Sequence, residues 1–434
     1  MFPQASASWL LLGFALPIVL SIDNGKGITP PMGWRSWNLY GENIDQETMM
    51  KIMDGMVSRK RQVDGKNTSL CDIGYCDVGL DDNWQICAKS PEHGYTYHSD
   101  AGFPAVNPGR FPDMIAMTTY AHKLNLTAGW YFNNCICKDH CGNGKDQGET
   151  DESCYVGDAD ALVQLGFDSV KLDGCGNQRD LNVWARLFKE AGKSIMIENC
   201  HWGGTVPNAT WCPFNFYRTS GDVVASYASV LNNLASTYQW ASKNLSTPGC
   251  WAYPDMLEVG CQHGPHGDKD PGLSEEETRT HFGAWCIVSS PLTLSHDVNN
   301  DTIMDQVWEV ITNPEAIAIN QAYAGFSGGP FQTSDDFVVF PSVHEEDETF
   351  KVPGWTYLYK PLNQDNTKIA VLMMNSNPAT KTLKLDFSTI PGFKCEKGCQ
   401  VRDVWARQDL GGFDDSFSVA IKSHDSAFLV VSSS

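Results

Sequence analysis

The sequence predicts an α/β chain, a (β/α)8 TIM barrel followed by a C-terminal antiparallel β-sandwich domain. Three observations carry this expectation. From about residue 28 to 325, short apolar runs alternate with helical patterns, which implies parallel strand pairing. Acidic, basic and aromatic residues recur where those runs end: Trp37, Asp81-Asp82, Tyr131, Lys171/Asp173, His201-Trp202, Arg218/Asp222 and Asp255. An open sheet concentrates its site at one switch point, whereas a barrel gathers residues from all its strand ends at one face. Beyond about Gly325 the helical patterns stop and short β runs lie between turn residues.

In chain order, residues 1–21 read as a signal peptide. Trp9-Leu10-Leu11-Leu12 opens an apolar run that ends at Ser21, although no Lys or Arg precedes it. The run is short for a membrane span, and no later segment looks transmembrane. Residues 22–325 read as the barrel. Cys76-Asp77-Val78-Gly79-Leu80 is strand-like, 113–121 helical, and 126–132 a strand. A helix with apolar Ala161, Leu162 and Leu165 leads to the strand Ser169-Val170-Lys171-Leu172-Asp173. A helix around Val183 to Phe188, a strand over 194–198 and the run Phe214-Asn215-Phe216-Tyr217 come next, then a long helical stretch over 223–241. Residues 326–434 read as the β domain, with runs at 337–340, 355–359, 369–374, 382–385 and 427–431. Glu345-Glu346-Asp347-Glu348 reads as a solvated loop.

The net charge of −21 argues against nucleic acid or an anionic membrane as partner. Fifteen cysteines suggest export to an oxidising compartment. Close pairs look like local disulfides: Cys71/Cys76, Cys200/Cys212 and Cys395/Cys399. Cys135, Cys137, Cys141, Cys154 and Cys175 form a denser set of undetermined pairing, and the odd total leaves a thiol over. Zinc at Cys135, Cys137 and Cys141 fits poorly by spacing and by compartment. Sequons start at Asn67, Asn125, Asn208, Asn244 and Asn300, which suits a secreted or lysosomal/vacuolar glycoprotein.

Lys171 and Asp173 lie two apart on an apolar strand, so both point to the same side. Burying them is costly unless they are paired or used. The strand alone is equally compatible with a structural ion pair and with a catalytic carboxylate. Glycoside hydrolysis needs a second carboxylate across a pocket. Asp222, in Arg218-Thr219-Ser220-Gly221-Asp222, is the candidate, although spacing alone favours a helix N-cap. Glu198 and Asp255 stand in reserve. Asp81 and Asp82 offer acceptors for sugar hydroxyls, Lys171 and Arg218 offer donors, and Trp37, Trp84 and Tyr131 offer ring faces. For any single aromatic, core packing is the better reading.

Several motifs, in order from Thr29 to Gln321, resemble glycoside hydrolase family 27, the α-galactosidases. They are Pro31-Met32-Gly33-Trp34-Arg35-Ser36-Trp37-Asn38, Leu80-Asp81-Asp82-Asn83-Trp84, Pro108-Gly109-Arg110-Phe111-Pro112, Val170-Lys171-Leu172-Asp173-Gly174-Cys175, Tyr253-Pro254-Asp255-Met256-Leu257, Ser289-Ser290-Pro291-Leu292 and Ala318-Ile319-Asn320-Gln321. The resemblance implies a retaining double displacement on terminal α-D-galactosides, with no metal and no cofactor. It makes Asp173 the nucleophile and Asp222 the acid/base. Asp81, Asp82, Lys171 and Arg218 would bind hydroxyls, Trp37 and Tyr131 would line the pocket, and His201, Trp202 and Asp255 complete the substrate set. The family's Cys-Glu-Trp is here Cys200-His201-Trp202, and Tyr253 stands where the family has Asp. His201 both donates and accepts and titrates near neutrality, so specificity at sugar position 2 is open. The alternatives are the same mechanism on α-N-acetylgalactosaminides or β-L-arabinopyranosides, or a catalytically inactive carbohydrate-binding protein. Expected partners are α-galactoside oligosaccharides or glycoconjugates, and a homodimer is left open.

Overall fold

Eight short strands lie side by side, all parallel: β1 (Met32–Arg35), β2 (Asp77–Gly79), β3 (Thr127–Phe132), β4 (Ser169–Asp173), β5 (Met196–Cys200), β6 (Phe216–Arg218), β7 (Trp251–Tyr253) and β8 (Leu292–Leu294). They are hydrogen-bonded in the order β7-β6-β5-β4-β3-β2-β1-β8. Just past β7, Leu257 N donates to Thr293 O of β8 at 2.8 Å, which brings the two ends of the order together. The sheet therefore curls into the expected barrel. These features belong to a computed structural model, which describes residues 21–90, 94–99, 102–137, 152–265, 267, 270–342, 348–395 and 398–433. The apolar leader up to residue 20, Cys141 and the acidic positions 345–347 lie outside the described residues.

Period-2 alternation decides what faces where. Along β3 and β4, Ala128, Trp130, Phe132, Val170 and Leu172 join the core cluster, while Tyr131, Lys171 and Asp173 are equally buried but lie outside it. The helices α1 (Gln46–Val57), α2 (Met114–Lys123), α3 (Glu152–Gln164), α4 (Leu181–Glu190), α5 (Tyr227–Ser242), α6 (Glu275–Ile287), α7 (Asp301–Ile311) and α8 (Pro314–Gln321) follow the strands. Asp45, Asp113, Asp180, Asn300 and Asn313 cap α1, α2, α4, α7 and α8 by accepting first-turn N–H groups. The helix expected from residue 223 begins at Tyr227. Its N-cap is Ser226, whose side chain accepts from Ser229 N, so Asp222 is no cap.

Among the described residues the C-terminal part holds ten strands: β9 (Gly329–Thr333), β10 (Phe337–Pro341), β11 (Thr349–Pro353), β12 (Trp355–Pro361), β13 (Lys368–Asn375), β14 (Lys381–Asp386), β15 (Cys399–Asp403), β16 (Gln408–Phe413), β17 (Ser416–Ile421) and β18 (Ser426–Ser433). Six form an antiparallel sheet in the order β9-β12-β13-β18-β15-β16, and β10–β11 and β14–β17 pair separately. Along β13, Ile369, Val371 and Met373 pack with Leu383, Leu385 and Phe417 of the β14–β17 pair. The alternate residues Ala370, Leu372 and Met374 join the barrel core. The sheet is thus cemented to the barrel on one face and covered by the β14–β17 pair on the other.

Disulfides join Cys71–Cys76, Cys87–Cys137, Cys135–Cys175, Cys212–Cys250 and Cys395–Cys399. Cys135 and Cys137 are thereby committed to disulfides and are no zinc ligands. The expected Cys200/Cys212 pair is wrong. Cys200 ends β5 at the C-terminal face of the barrel, whereas Cys212 and Cys250 precede β6 and β7 at the opposite face. Cys200, Cys261 and Cys286 are buried free thiols.

Gly283 of α6 lies at the junction of the two parts. A Cβ there would lie 3.0 Å from Leu372 and 3.0 Å from Trp405. Gly283→Val is expected to destabilise the chain by ~1–3 kcal/mol through overpacking, read from the denaturation midpoint.

Candidate active site

The C-terminal strand ends converge on one mouth. Asp173, the last residue of β4, is 4% exposed. Its Oδ2 accepts from the Tyr131 hydroxyl at 2.8 Å, and its Oδ1 accepts from Gly174 N at 2.6 Å. Burial pushes its carboxyl up to about 7, the charges of Asp222 and Asp81 add to this, and Lys171 and Tyr131 oppose it. Lys171 Nζ forms its ion pair with Asp81 at 2.8 Å. Burial alone would push the ammonium down, but Asp81, Asp173 and Glu198 more than offset it, so Lys171 is a fixed cation.

A second group stands across the mouth. Arg218 ends β6 and is 1% exposed. Its Nη2 reaches Asp222 Oδ1 at 2.9 Å and Asp255 Oδ2 at 3.0 Å. Asp255 also accepts from Val223 N at 2.9 Å. Its backbone has φ +103°, a conformation that non-glycine residues rarely adopt and that costs ~1–3 kcal/mol. Asp222 keeps 41% of its side chain exposed, the largest share in this group.

The neighbouring pair Asp81-Asp82 divides its work. Asp81 serves Lys171. Asp82 Oδ1 accepts from Asn83 N, Gln85 Nε2 and Asn134 Nδ2, while Oδ2 accepts from Cys135 N and Ile136 N. Its lone pairs are taken up in fixing the loop after β3. That loop is tied to the one after β4 by the Cys135–Cys175 disulfide. Trp37 is half-buried against the cluster of Phe216, Trp251, Tyr253 and Met256, and Trp84 is core, its Nε1 donating to Tyr131 O at 2.9 Å.

His201 and Trp202 follow β5. His201 Nδ1 lies 2.9 Å from Thr205 Oγ1, and Nε2 is buried without a partner among the described residues. Burial and the charge of Arg179 push its pKa down to about 4, so the titration expected near neutrality does not occur there. The ring is neutral at physiological pH. Trp202 is 40% exposed and lies over Gly174, where a Cβ would be 3.2 Å from its ring.

Several residues of this mouth escaped the sequence reading. Arg35 of β1 pairs with Glu198 of β5 at 3.1 Å inside the barrel. Cys200 places its thiol 3.7 Å from Asp173 and 3.4 Å from Arg218 Nη1. Asn133 donates to the Asp173 carbonyl. Strand alternation signals Cys200, which shares the inward face of β5 with Glu198. Nothing in sequence marks Asn133.

Residues 29–322 match the family model described as alpha galactosidase A, and residues 353–431 match the alpha galactosidase C-terminal beta sandwich domain. Alpha-galactosidase 3 of Arabidopsis thaliana is 28% identical over 417 residues, covering 94% of this chain and 82% of the relative. Two solved structures share the fold. Alpha-galactosidase I of Mortierella vinacea has a TM-score of 0.70 at 22% identity, over 95% of this chain and 100% of the other. A family 27 β-L-arabinopyranosidase of Geobacillus stearothermophilus has a TM-score of 0.70 at 17% identity, over 93% and 96%. The first family match alone spans well over half the sequence, and the chain belongs to the alpha galactosidase A family of glycoside hydrolases.

Proposed function

We propose that this chain releases terminal α-D-galactose from α-galactosides by double displacement, with Asp173 as nucleophile and Asp222 as acid/base. The observation that carries the reading is the isolation of Asp173. It is buried at a barrel strand's C-terminal end and held by two hydrogen bonds, and Asp222 is near enough for its charge to act on it. In the first step a carboxylate oxygen of Asp173 bonds to the anomeric carbon. The glycosidic C–O bond breaks, and the Asp222 proton passes to the leaving oxygen. In the second step Asp222 takes a proton from water, whose oxygen attacks the same carbon and displaces Asp173. Inversion twice gives retention.

A protonated Asp222 no longer repels charge on Asp173, so the acid form of one favours the ionised form of the other. Asp81, Lys171, Arg218, Asp255, His201 and Trp202 are assigned to the sugar or its aglycone, with Trp37 and Tyr131 lining the pocket. Asp82 contributes through the loop it fixes. A neutral His201 presents the sugar with a group that either donates or accepts, but carries no charge. The disulfides suit an extracellular or lysosomal/vacuolar lumen. A homodimer belongs to the same reading, and light scattering of the purified chain decides it.

The nitrophenyl α-galactoside is expected to turn over fastest in a panel with the α-N-acetylgalactosaminide and β-L-arabinopyranoside. A faster rate on either rival reassigns the sugar, and binding without turnover on all three makes the chain a lectin. Asp173→Asn is expected to abolish turnover in a folded protein. Asp222→Ala is expected to retain glycosylation only with an activated leaving group. Asp173→Asn also has a stability signature. A raised carboxyl holds its proton in the folded state after the unfolded chain has released it, so wild-type stability falls as pH rises from about 4 to about 7. The variant should match wild type below about pH 4 and gain on the order of 1–4 kcal/mol above pH 7, measured by denaturation across pH.

A further inference from the structure

Asn233 lies within α5 and is 0% exposed. Its Nδ2 donates to Gly221 O at 3.0 Å and to Pro254 O at 2.9 Å. Turned the other way, the amide oxygen would face two carbonyl oxygens, so the orientation is fixed by chemistry. Gly221 directly precedes Asp222, and Pro254 directly precedes Asp255. The two carboxylates then meet at Arg218 Nη2. Asn233, Gly221-Asp222, Arg218 and Pro254-Asp255 thus form a ring of hydrogen bonds closed by the Arg218–Asp255 ion pair.

The ring continues along the chain. Asp255 accepts from Val223 N at 2.9 Å, and the buried Asp270 accepts from Ala225 N at 3.0 Å. Gly272 N donates to Ala225 O at 3.0 Å. Side-chain packing supplies none of this support at Gly221, where a Cβ would meet nothing within 4 Å. The backbone around Asp222 is therefore held by directed hydrogen bonds, before it by Asn233 and after it by Asp255 and Asp270.

We propose that Asn233 is a positioning residue for proton transfer by Asp222, with Asp270 as the second tether. The inference rests on Asp222 being the acid/base. Freed of the clamp, the Asp222 peptide can shift while the rest of the barrel stays in place. A displacement of about 1 Å is enough to cost ~100-fold in a step that depends on geometry. In glycosylation, the step that kcat/KM reads, only cleavage that needs protonation of the leaving oxygen would feel it.

The test compares kcat/KM for an unactivated galactosyl disaccharide and for a dinitrophenyl galactoside in wild type, Asn233→Leu and Asp222→Ala. The ratio of the two values on one sample does not depend on how much of the protein is folded. Asn233→Leu is expected to lose ~10–100-fold on the disaccharide and less than about 3-fold on the dinitrophenyl substrate, shifting the ratio in the same direction as Asp222→Ala. Equal losses on both substrates, or no loss on either, while Asp222→Ala shifts the ratio, overturn the positioning role alone. A ratio unmoved in Asp222→Ala overturns the acid/base reading and this inference with it. Should Asn233→Leu give no soluble protein, Asp270→Ala is measured in the same way and judged by the same outcomes.

Discussion

Buried negative charge outnumbers buried positive charge at the mouth of this barrel, and the local structure is arranged around that surplus. Lys171 neutralises Asp81, Arg35 neutralises Glu198, and Arg218 is shared by Asp222 and Asp255. Asp173, like Asp82, is left with hydrogen bonds and no ion pair among the described residues. In a poorly solvated site such a group is the one that resists ionisation, and its carboxyl accordingly lies near 7. Each cation is bound so closely to another carboxylate that it acts on Asp173 only from a distance. A group in this position gains from forming a neutral ester, because the covalent state removes a charge that the barrel hosts at a cost.

Several devices keep the surplus in place. Asp82 spends its lone pairs on the loop after β3, and the Cys135–Cys175 bridge carries that order to the loop after β4. The strained backbone of Asp255 aims its carboxylate at Arg218 and Val223 N together. Farther out, the β-sandwich continues the barrel core through Leu372, Met374 and Phe428. It also braces the outer helices with ion pairs such as Arg279–Asp425 at 2.8 Å and Arg402–Glu315 at 2.6 Å. Lys360 of β12 is buried, and its ammonium donates to the carbonyls of Ile319 and Asn320 in α8.

Much of this was legible in sequence because charged residues on apolar strands have few places to go. Lys171, Asp173 and Arg218 announced an interior polar face, and alternation placed them on it. The pairing was not legible. Lys171 looked matched to Asp173, its neighbour on the same strand, but found Asp81 on another. The cysteines misled for a related reason, since nearness in sequence says nothing of which end of a barrel a residue reaches. Asp222 resembled a cap because Val223 begins an apolar stretch, yet Ser226 does the capping. Strands β9, β11, β15, β16 and β17 went unseen; Gln408-Asp409-Leu410-Gly411-Gly412 lies at a sheet edge, where no apolar alternation is required. Asn233 reads as one more polar residue in a helix, and only the contact with two remote carbonyls gives it meaning.

The free thiol of Cys200 has a bearing on how the mouth survives after it has formed. Asp173 lies beside both sulfurs of the Cys135–Cys175 bridge on one side and 3.7 Å from Cys200 on the other. Thiol–disulfide exchange requires a thiolate, and a thiolate there would sit within reach of a bond that anchors two loops. Burial, followed by the charge of Asp173, pushes the Cys200 thiol well above its ordinary range. Burial and the carboxylate that strains the charge balance of the barrel therefore together keep the thiol protonated, and so guard the covalent frame that holds both.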